Sequence, residues 1–267
     1  MKHTVETIND QKSSKKGAVG LIETVLRRFK NFAFLGALFP IMMLYILALS
    51  FAFMPAALIF SEIWDLLLSL NLVFKVLLIA VACGISFLAF IVALIVVVPI
   101  LNKPFIPLVK PFRGAWFSLE SIPWFYHNAL FYLVRYTVLN LLTPSPISIW
   151  FLKAMGMKIG KNVVINTGNI SDPCLIEIED YATIGGSVYI MAHYGMKGYL
   201  IVDRVKIGKA CNIGLHSYVM AAEIGESATV LPNTAVLPKT KIPAHAKFGH
   251  LDQVLDIKKT QGSEKTE

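Results

Sequence analysis

Charged residues are scarce in this chain of 267 residues. Only 16% of its residues are Asp, Glu, Lys or Arg, whereas 55% are hydrophobic, and the mean hydropathy is +0.62. Soluble proteins rarely combine so many apolar residues with so few charges. The composition therefore predicts that part of the chain lies in a membrane.

Cysteine is scarce as well. Cys83, Cys174 and Cys211 are scattered and show none of the spacings of metal-binding or redox motifs. This argues against a disulfide framework and indicates a reducing compartment.

A basic stripe interleaved with aromatic residues is also missing, although the net charge is +8. The basic residues lie at the N-terminus and beside apolar segments. That distribution suits anionic lipid headgroups, and no nucleic acid partner is expected.

Two long segments contain almost no charge. Residues 32–60 and 82–101 carry none, and the second apolar run extends back to Leu72 with Lys75 alone inside it. Because a membrane span needs about 20 apolar residues, we predict two transmembrane helices within residues 31–101.

The charges flanking these segments are asymmetric. Basic residues precede the first segment and follow the second: Lys12, Lys15, Lys16, Arg27, Arg28 and Lys30, then Lys103, Lys110 and Arg113. The positive-inside rule then places both termini in the cytoplasm.

The remaining segments outside the C-terminal half are shorter. Within residues 1–30 we expect a disordered start and an amphipathic helix from Gly17. Residues 102–156 are predicted to be an interfacial connector with helices. Residues 124–142 are long enough for a third span, but Arg135 near their middle favours an interfacial or re-entrant helix.

The C-terminal half repeats every six residues. Aliphatic residues recur at this interval through residues 157–250, at Ile159, Ile165, Ile178, Ile184, Ile190, Ile207, Ile213, Val219, Ile224, Val230, Val236, Ile242 and Phe248. Neither a helix nor a flat strand has this period. It predicts a hexapeptide parallel β-helix, in which three hexads form one coil and small residues occupy tight turns. Residues 251–267 form a charged tail.

The repeat has three irregular intervals. Ile165 and Ile178 are thirteen residues apart, Ile190 and Ile207 seventeen, and Val219 and Ile224 five. The longest interval leaves room for a loop at residues 193–199. Loops in a solenoid are where sites are usually found.

Several motifs resemble a known family. They are Thr143-Pro144, Met155-Gly156-Met157-Lys158-Ile159-Gly160, Ser171-Asp172-Pro173 and Ile184-Gly185-Gly186. Together they resemble membrane-linked, left-handed β-helix acyltransferases of the hexapeptide-repeat class, similar to the C-terminal domains of polylysine-synthetase-type peptide synthetases. The resemblance implies an all-β left-handed parallel β-helix after a helical membrane hairpin, a homotrimer, and a multi-pass protein of the bacterial inner membrane with a cytoplasmic β-helix.

Histidine is the expected base for acyl transfer near neutral pH. His193 is the leading candidate because it begins the longest irregular interval, and His216, at the fourth place of a hexad, is the alternative. Asp172 and Glu177 are candidates to hold a histidine tautomer or to receive an acceptor amine. Alternatively, each of these four residues is an ordinary turn residue or a solvated surface residue without a part in catalysis.

The donor is expected to be an acyl-CoA or a carrier-protein thioester, with no tightly bound cofactor. Lys239, Lys241 and Lys247 cluster near the end of the repeat and are candidates to meet coenzyme A phosphates. His245, near the end of the repeat, is predicted to cap the β-helix. No metal site is expected, because no two histidines have the close spacing of a zinc site.

Three functions remain open from the sequence. The first is a membrane-anchored acyltransferase that acts on a hydroxyl or amine. The second is a peptide-bond-forming aminoacyl transferase that works with a carrier protein or peptide synthetase. The third is a trimeric membrane scaffold without catalysis, which would tolerate replacement of His193.

Overall fold

The computed structural model describes residues 11–249, which form a helical N-terminal part followed by a β-helix. The predictions for the first ten residues and for the charged tail at 251–267 lie outside the described residues.

The helical part contains two helices that are long and apolar enough to cross a membrane, within the described residues. The helices of this part are α1 Gly17–Arg28, α2 Lys30–Ser69, α3 Leu72–Asn102, α4 Ser121–Val134, α5 Asn140–Leu142 and α6 Pro146–Ala154. The two long ones, α2 and α3, pack against each other along their length. Their hydropathy and mostly outward-facing apolar surface are what a lipid environment requires.

Residues 124–142, which are long enough for a third span, form a broken helix. Between α4 and α5 the residues Arg135–Leu139 form a π-helix. One face of this segment is buried, with Leu130, Phe131 and Val134 fully covered, and α4 contacts both α2 and α3. A π-bulge at a polar residue commonly marks a functional position.

The C-terminal half forms three parallel sheets. In the first sheet the strands are β2 Lys158–Ile159, β5 Ile176–Ile178, β10 Val205–Ile207, β13 Glu223–Ile224 and β16 Lys241–Ile242. The second contains β3 Val164–Ile165, β6 Thr183–Ile184, β11 Asn212–Ile213, β14 Thr229–Val230 and β17 Lys247–Phe248. The third contains β4 Ile170–Ser171, β7 Tyr189–Met191, β12 Tyr218–Met220 and β15 Ala235–Val236. Successive strands visit the three sheets in turn, which fits a left-handed β-helix.

The hexad aliphatic residues stack on each other from coil to coil. In the first sheet Ile178 lies between Ile159 and Ile207 in register, and in the second Ile213 lies between Ile184 and Val230. Ile178, Ile184, Ile207, Ile213 and Val230 are all at most 2% exposed. The six-residue period is therefore confirmed as the period of the buried core.

Glycine follows the inward residue where neighbouring coils approach most closely. A Cβ on Gly214 would lie 2.4 Å from the backbone nitrogen of Pro232, and one on Gly225 would lie 2.5 Å from that of Ala244. No side chain fits at such distances. The glycines thus permit the coils to stack.

Each regular corner contains a residue with a left-handed backbone two places after that glycine position. Examples are Ser187, Ala210, His216, Asn233 and His245, with φ between 55° and 61°. His216 and His245 are consequently corner residues of the solenoid.

All three irregular intervals include the corner that leads from the third sheet to the first. In the first interval Ile170 is the inward residue, so the chain takes five residues to reach it and eight more to reach Ile178. The other two irregular intervals run from β7 to β10 and from β12 to β13. Since stacked coils share their corners, these departures from the repeat lie above one another.

The expected loop at residues 193–199 is a β-hairpin instead. Its strands are β8 His193–Met196 and β9 Tyr199–Val202, and β9 also pairs antiparallel with β1 Phe112–Ala115 from the connector. The sequence reading missed this three-stranded sheet because its strands come from segments far apart in the chain.

Candidate functional site

Asp172 lies at the first irregular corner, directly after β4. Its backbone is left-handed, with φ of 61°, and its side chain is fully buried. The residue after it, Pro173, begins a short 3-10 helix. An Asp in this region of backbone space is tolerated because its short polar side chain can bond locally.

Four donors surround the Asp172 carboxylate. Trp124 Nε1 and Asn128 Nδ2 donate to Oδ1 over 2.7 and 2.8 Å, and the Ala192 N–H and His193 Nδ1 share Oδ2 at 2.9 and 2.6 Å. Asn128 Oδ1 in turn accepts the backbone N–H of Asp172 over 3.1 Å. This set fixes the carboxylate in one orientation.

Two of these partners come from the helical part. Trp124 and Asn128 are four residues apart on α4 and therefore lie on one face of the helix. The sequence reading missed both residues. The available signal was a tryptophan and an asparagine at helical spacing in an otherwise apolar segment, because a buried amide or indole N–H requires a partner.

His193 lies one coil above Asp172, at the start of the hairpin. β4 and β7 pair so that Ser171 is opposite Met191, which stacks the following corner residues. The His193 side chain is 20% exposed. The edge of the Trp124 ring lies against the imidazole, with centroids 4.9 Å apart.

The charge on Asp172 favours one histidine tautomer. Burial alone would raise the pKa of Asp172, but hydrogen bonds from His193, Asn128 and Trp124 outweigh it and hold that pKa below its usual range. A carboxylate accepts only, so His193 carries its proton on Nδ1 in this pair. Nε2 then presents a lone pair, and no other residue within 11–249 bonds to it.

A second polar group lies beside Asp172. Arg135 Nη1 donates to Ser171 Oγ over 2.9 Å, and the Tyr132 hydroxyl lies 2.9 Å from the same oxygen. Arg135 is buried, and its guanidinium carbon lies 5.4 and 5.1 Å from the ring centroids of Tyr132 and Tyr136.

The other predicted site residues lie elsewhere. Glu177 is on the outer face of the first sheet, where it forms an ion pair with Lys158 over 3.4 Å, and Lys241 pairs with Glu223 on the same face over 2.9 Å. His216 is an exposed corner residue in the third coil, between β11 and β12. The structure brings together Asp172 and His193 and places neither Glu177 nor His216 with them.

Lys239 and Lys247 are exposed at the last described coil. Neither forms an ion pair with another residue between positions 11 and 249.

A cysteine, Cys174, lies two residues after Asp172. Burial raises the pKa of Cys174 to about 12, so it stays a protonated thiol. Within residues 11–249 no group of three or more His, Cys, Asp or Glu side chains has the arrangement of a metal site.

Comparison with known proteins gives matches to part of the chain. No protein-family model matches it. A stretch of 123 residues, 42% of this chain, is 28% identical to the delta-poly-L-ornithine synthetase of Acinetobacter baumannii and spans only 9% of that much longer protein.

The similar solved structures are hexapeptide-repeat acetyltransferases. One from Vibrio cholerae has a TM-score of 0.38 and 12% identity, over 45% of this chain and 84% of its own. A galactoside acetyltransferase in complex with coenzyme A has a TM-score of 0.37 and 16% identity, over 55% and 84% of the two chains.

Proposed function

We propose that the protein is a membrane-anchored acyltransferase that moves an acyl or aminoacyl group from a thioester to an amine or hydroxyl, with His193 as general base. The observation that carries this proposal is the 2.6 Å contact between His193 Nδ1 and the fully buried Asp172 carboxylate. An oriented imidazole with a free Nε2 is what such a reaction requires.

The proposed reaction follows from this geometry. The acceptor nitrogen or oxygen attacks the thioester carbonyl carbon while its proton passes to His193 Nε2. The tetrahedral intermediate then expels the thiolate, and the imidazolium returns the proton to the leaving sulfur. Asp172 keeps its negative charge and stabilises the transient imidazolium, so it acts as a positioning residue.

The donor is proposed to be acyl-CoA or a carrier-protein thioester, used as a substrate and not as a bound cofactor. Lys239 and Lys247 remain candidates for its phosphates, since both are exposed and without an ion-pair partner among the described residues. Lys241 is a weaker candidate because Glu223 already neutralises it.

Peptide-bond formation is the second candidate activity. It is supported by the partial match to the delta-poly-L-ornithine synthetase. The same base would serve it, because an amine attacking an aminoacyl thioester loses a proton in the same way. A carrier protein or peptide synthetase is then the proposed partner.

The proposed setting is the bacterial inner membrane. The two long apolar helices and the basic residues on their outer flanks support a hairpin with both termini and the β-helix in the cytoplasm. A homotrimer is proposed because cyclic symmetry suits a three-faced prism.

The test is replacement of the base in the full chain, purified in detergent. With an acyl-CoA donor and a panel of amines, His193→Ala should lower turnover by about 10²–10⁴ while the thermal transition is kept. His216→Ala is the matched control, an exposed histidine that should stay active. Loss of activity in the His216 variant alone would move the base to His216, and full activity in both variants would show that neither histidine is the base. Absence of turnover by the native protein with every donor and amine would favour the scaffold.

A further inference from the structure

Arg135 is a buried cation without an acidic partner. It is 8% exposed, and no carboxylate lies within ion-pair distance of it among residues 11–249. Asp172, which follows the Ser171 that Arg135 contacts, has both carboxylate oxygens occupied by four other donors. Buried charges are normally paired, so an unpaired one indicates a binding role.

Two nitrogens of the Arg135 guanidinium, Nε and Nη2, have no hydrogen-bond partner among residues 11–249. Nη1 is engaged by Ser171, whereas Nε is buried without any hydrogen-bond partner. Nη2 also donates to no residue between positions 11 and 249. Nε–H and the adjacent Nη2–H form the planar fork that binds carboxylates and phosphates through two parallel hydrogen bonds.

The surrounding side chains suit an oxyanion. The Tyr132 hydroxyl shares Ser171 with Arg135 and can donate to an anion beside it. Tyr136 lies over the guanidinium and is 72% exposed, so it has room to swing aside when a ligand enters.

The fork is close to the proposed base. One face of the broken helix carries three polar side chains at intervals of four residues, Trp124, Asn128 and Tyr132. The first two donate hydrogen bonds to Asp172, and the Tyr132 hydroxyl contacts Ser171. Asn128 and Arg135 are seven residues apart, which corresponds to about 10 Å along a helix. The two places at which the helix meets this corner, at Asn128 and at Arg135, are therefore separated by a length that a linear small molecule can span.

We infer that Arg135, with Tyr132 and Ser171, binds an anionic group of the acceptor, a carboxylate or a phosphate, while the acceptor's amine or hydroxyl lies at His193. This assignment rests on the proposed function for the identity of the ligand as acceptor. It narrows the substrate class to amines or alcohols that carry an oxyanion up to about 10 Å away.

The test compares acceptors that differ only in the anion. The full chain in detergent is assayed with acetyl-CoA and either 6-aminohexanoate or pentylamine, and then with phosphoethanolamine or ethanolamine. The native protein should prefer the anionic member of one pair by at least about tenfold in kcat/KM, and the preferred pair tells carboxylate from phosphate.

The decisive variant is Arg135→Met, which removes the charge at similar volume. It should abolish the preference for the anion, so that the anionic and the neutral member of a pair have similar kcat/KM. Arg113→Met is the matched control, since Arg113 is exposed and lies over the Tyr199 ring at 4.3 Å; it should keep the preference.

A structural role for Arg135 gives a different result. Since the charge lacks an acidic partner, Arg135→Met should keep or raise the midpoint of thermal unfolding. If this variant loses its thermal transition, or if it impairs both members of a pair equally, the inference is overturned.

Calorimetric titration with 6-aminohexanoate and phosphoethanolamine separates this inference from the proposed function. If no amine is acetylated but one of these ligands binds the native protein at least tenfold more tightly than Arg135→Met, the anion site stands and the acyltransferase proposal fails. If amines are acetylated in a His193-dependent way but Arg135→Met retains the preference, the anion site fails alone.

Discussion

At the scale of residues, the candidate site contains a fully buried carboxylate, that of Asp172. Removing a carboxylate from water is costly, and here hydrogen bonds from four donors compensate for it. Four donors to one buried carboxylate are expected if a fixed negative charge is needed next to His193. Apolar residues of the same volume would serve packing equally well.

Asp172→Asn tests this role. An asparagine can present its amide NH₂ toward His193 Nδ1, which would move the ring proton to Nε2 and remove the base. We expect kcat to fall by about 10²–10⁴ with little change in donor binding. Glu177→Gln, on the solvated face, should keep its activity and change the free energy of unfolding by less than about 0.5 kcal/mol. Equal activity of the two variants would contradict the assignment.

His127 on α4 is a second buried titratable group. Its Nδ1 lies 3.1 Å from Asn102 Oδ1, its Nε2 is buried without a partner among the described residues, and burial lowers its pKa from 6.5 to about 4. The ring is therefore neutral in the folded protein at neutral pH.

This depressed pKa makes stability depend on pH. Between pH 6.5 and about 4 the unfolded chain binds a proton that folded His127 does not, so the free energy of unfolding falls as the pH falls. The loss attributable to His127 is about 3 kcal/mol across that window. Thermal midpoints of the native protein and of His127→Gln, measured from pH 7.5 to 4, should converge as the pH is lowered. Parallel curves would show that His127 is not the titrating group.

At the scale of elements, the corner of the β-helix that leads from the third sheet to the first is irregular in the first three coils, and most of the other steps have six residues. Six-residue spacing encodes the regular part locally, because each inward residue packs on its equivalent in the next coil. The irregular corner depends on contacts between distant segments. Its hairpin pairs with a strand near residue 113, some ninety positions earlier.

That difference explains how much of the molecule the sequence could predict. The six-residue repeat followed from the spacing, and its longest interruption drew attention to His193, whose role stays a prediction. The exact partner of His193 did not follow from the spacing, since Asp172 and Glu177 were equally open until the register placed one beneath His193. Trp124 and Asn128 stand out as polar groups at helical spacing, but their contact with Asp172 could not be predicted, because they lie 48 and 44 positions from it and no periodicity links them.

Ile213→Asp tests the register. Ile213 is 2% exposed and lies between Ile184 and Val230, so an unpaired carboxylate there should cost several kcal/mol, about 3 or more. Asn212→Asp, at the exposed neighbour on the same strand, is the matched control and should fold normally. Protease resistance and the β-type circular dichroism of both variants provide the measurement, and a stable Ile213→Asp would show the register to be wrong.

At the scale of the whole molecule, the helical part is a component of the site. α4 contacts α3, and its Trp124 and Asn128 side chains hold Asp172. A β-helix without these helices would leave the Asp172 carboxylate short of two donors. The helical part and the β-helix therefore build the candidate site together.

The proposed topology predicts the result of reporter fusions. A reporter active only outside the cytoplasm, attached after Thr260, should be silent, whereas the same reporter inserted between α2 and α3 near Leu70 should be active. Activity from the C-terminal fusion would refute the proposed orientation.

The proposed trimer predicts the mass in detergent. Light scattering that separates protein from detergent should give three times the chain mass of 29.6 kDa. A monomeric mass at concentrations at which turnover is full would reject the trimer.

The stacking of coils also determines where the molecule opens first. In a linear solenoid each coil is stabilised only by its immediate neighbours, so a free end frays before the interior does. Asp172 and His193 lie at the first and second coils, between the helical part on one side and the coils that end at β17 on the other. Fraying at the far end must cross those later coils before it reaches the histidine, so slow loss of the C-terminal strands would leave the contact between Asp172 and His193 intact for most of its course.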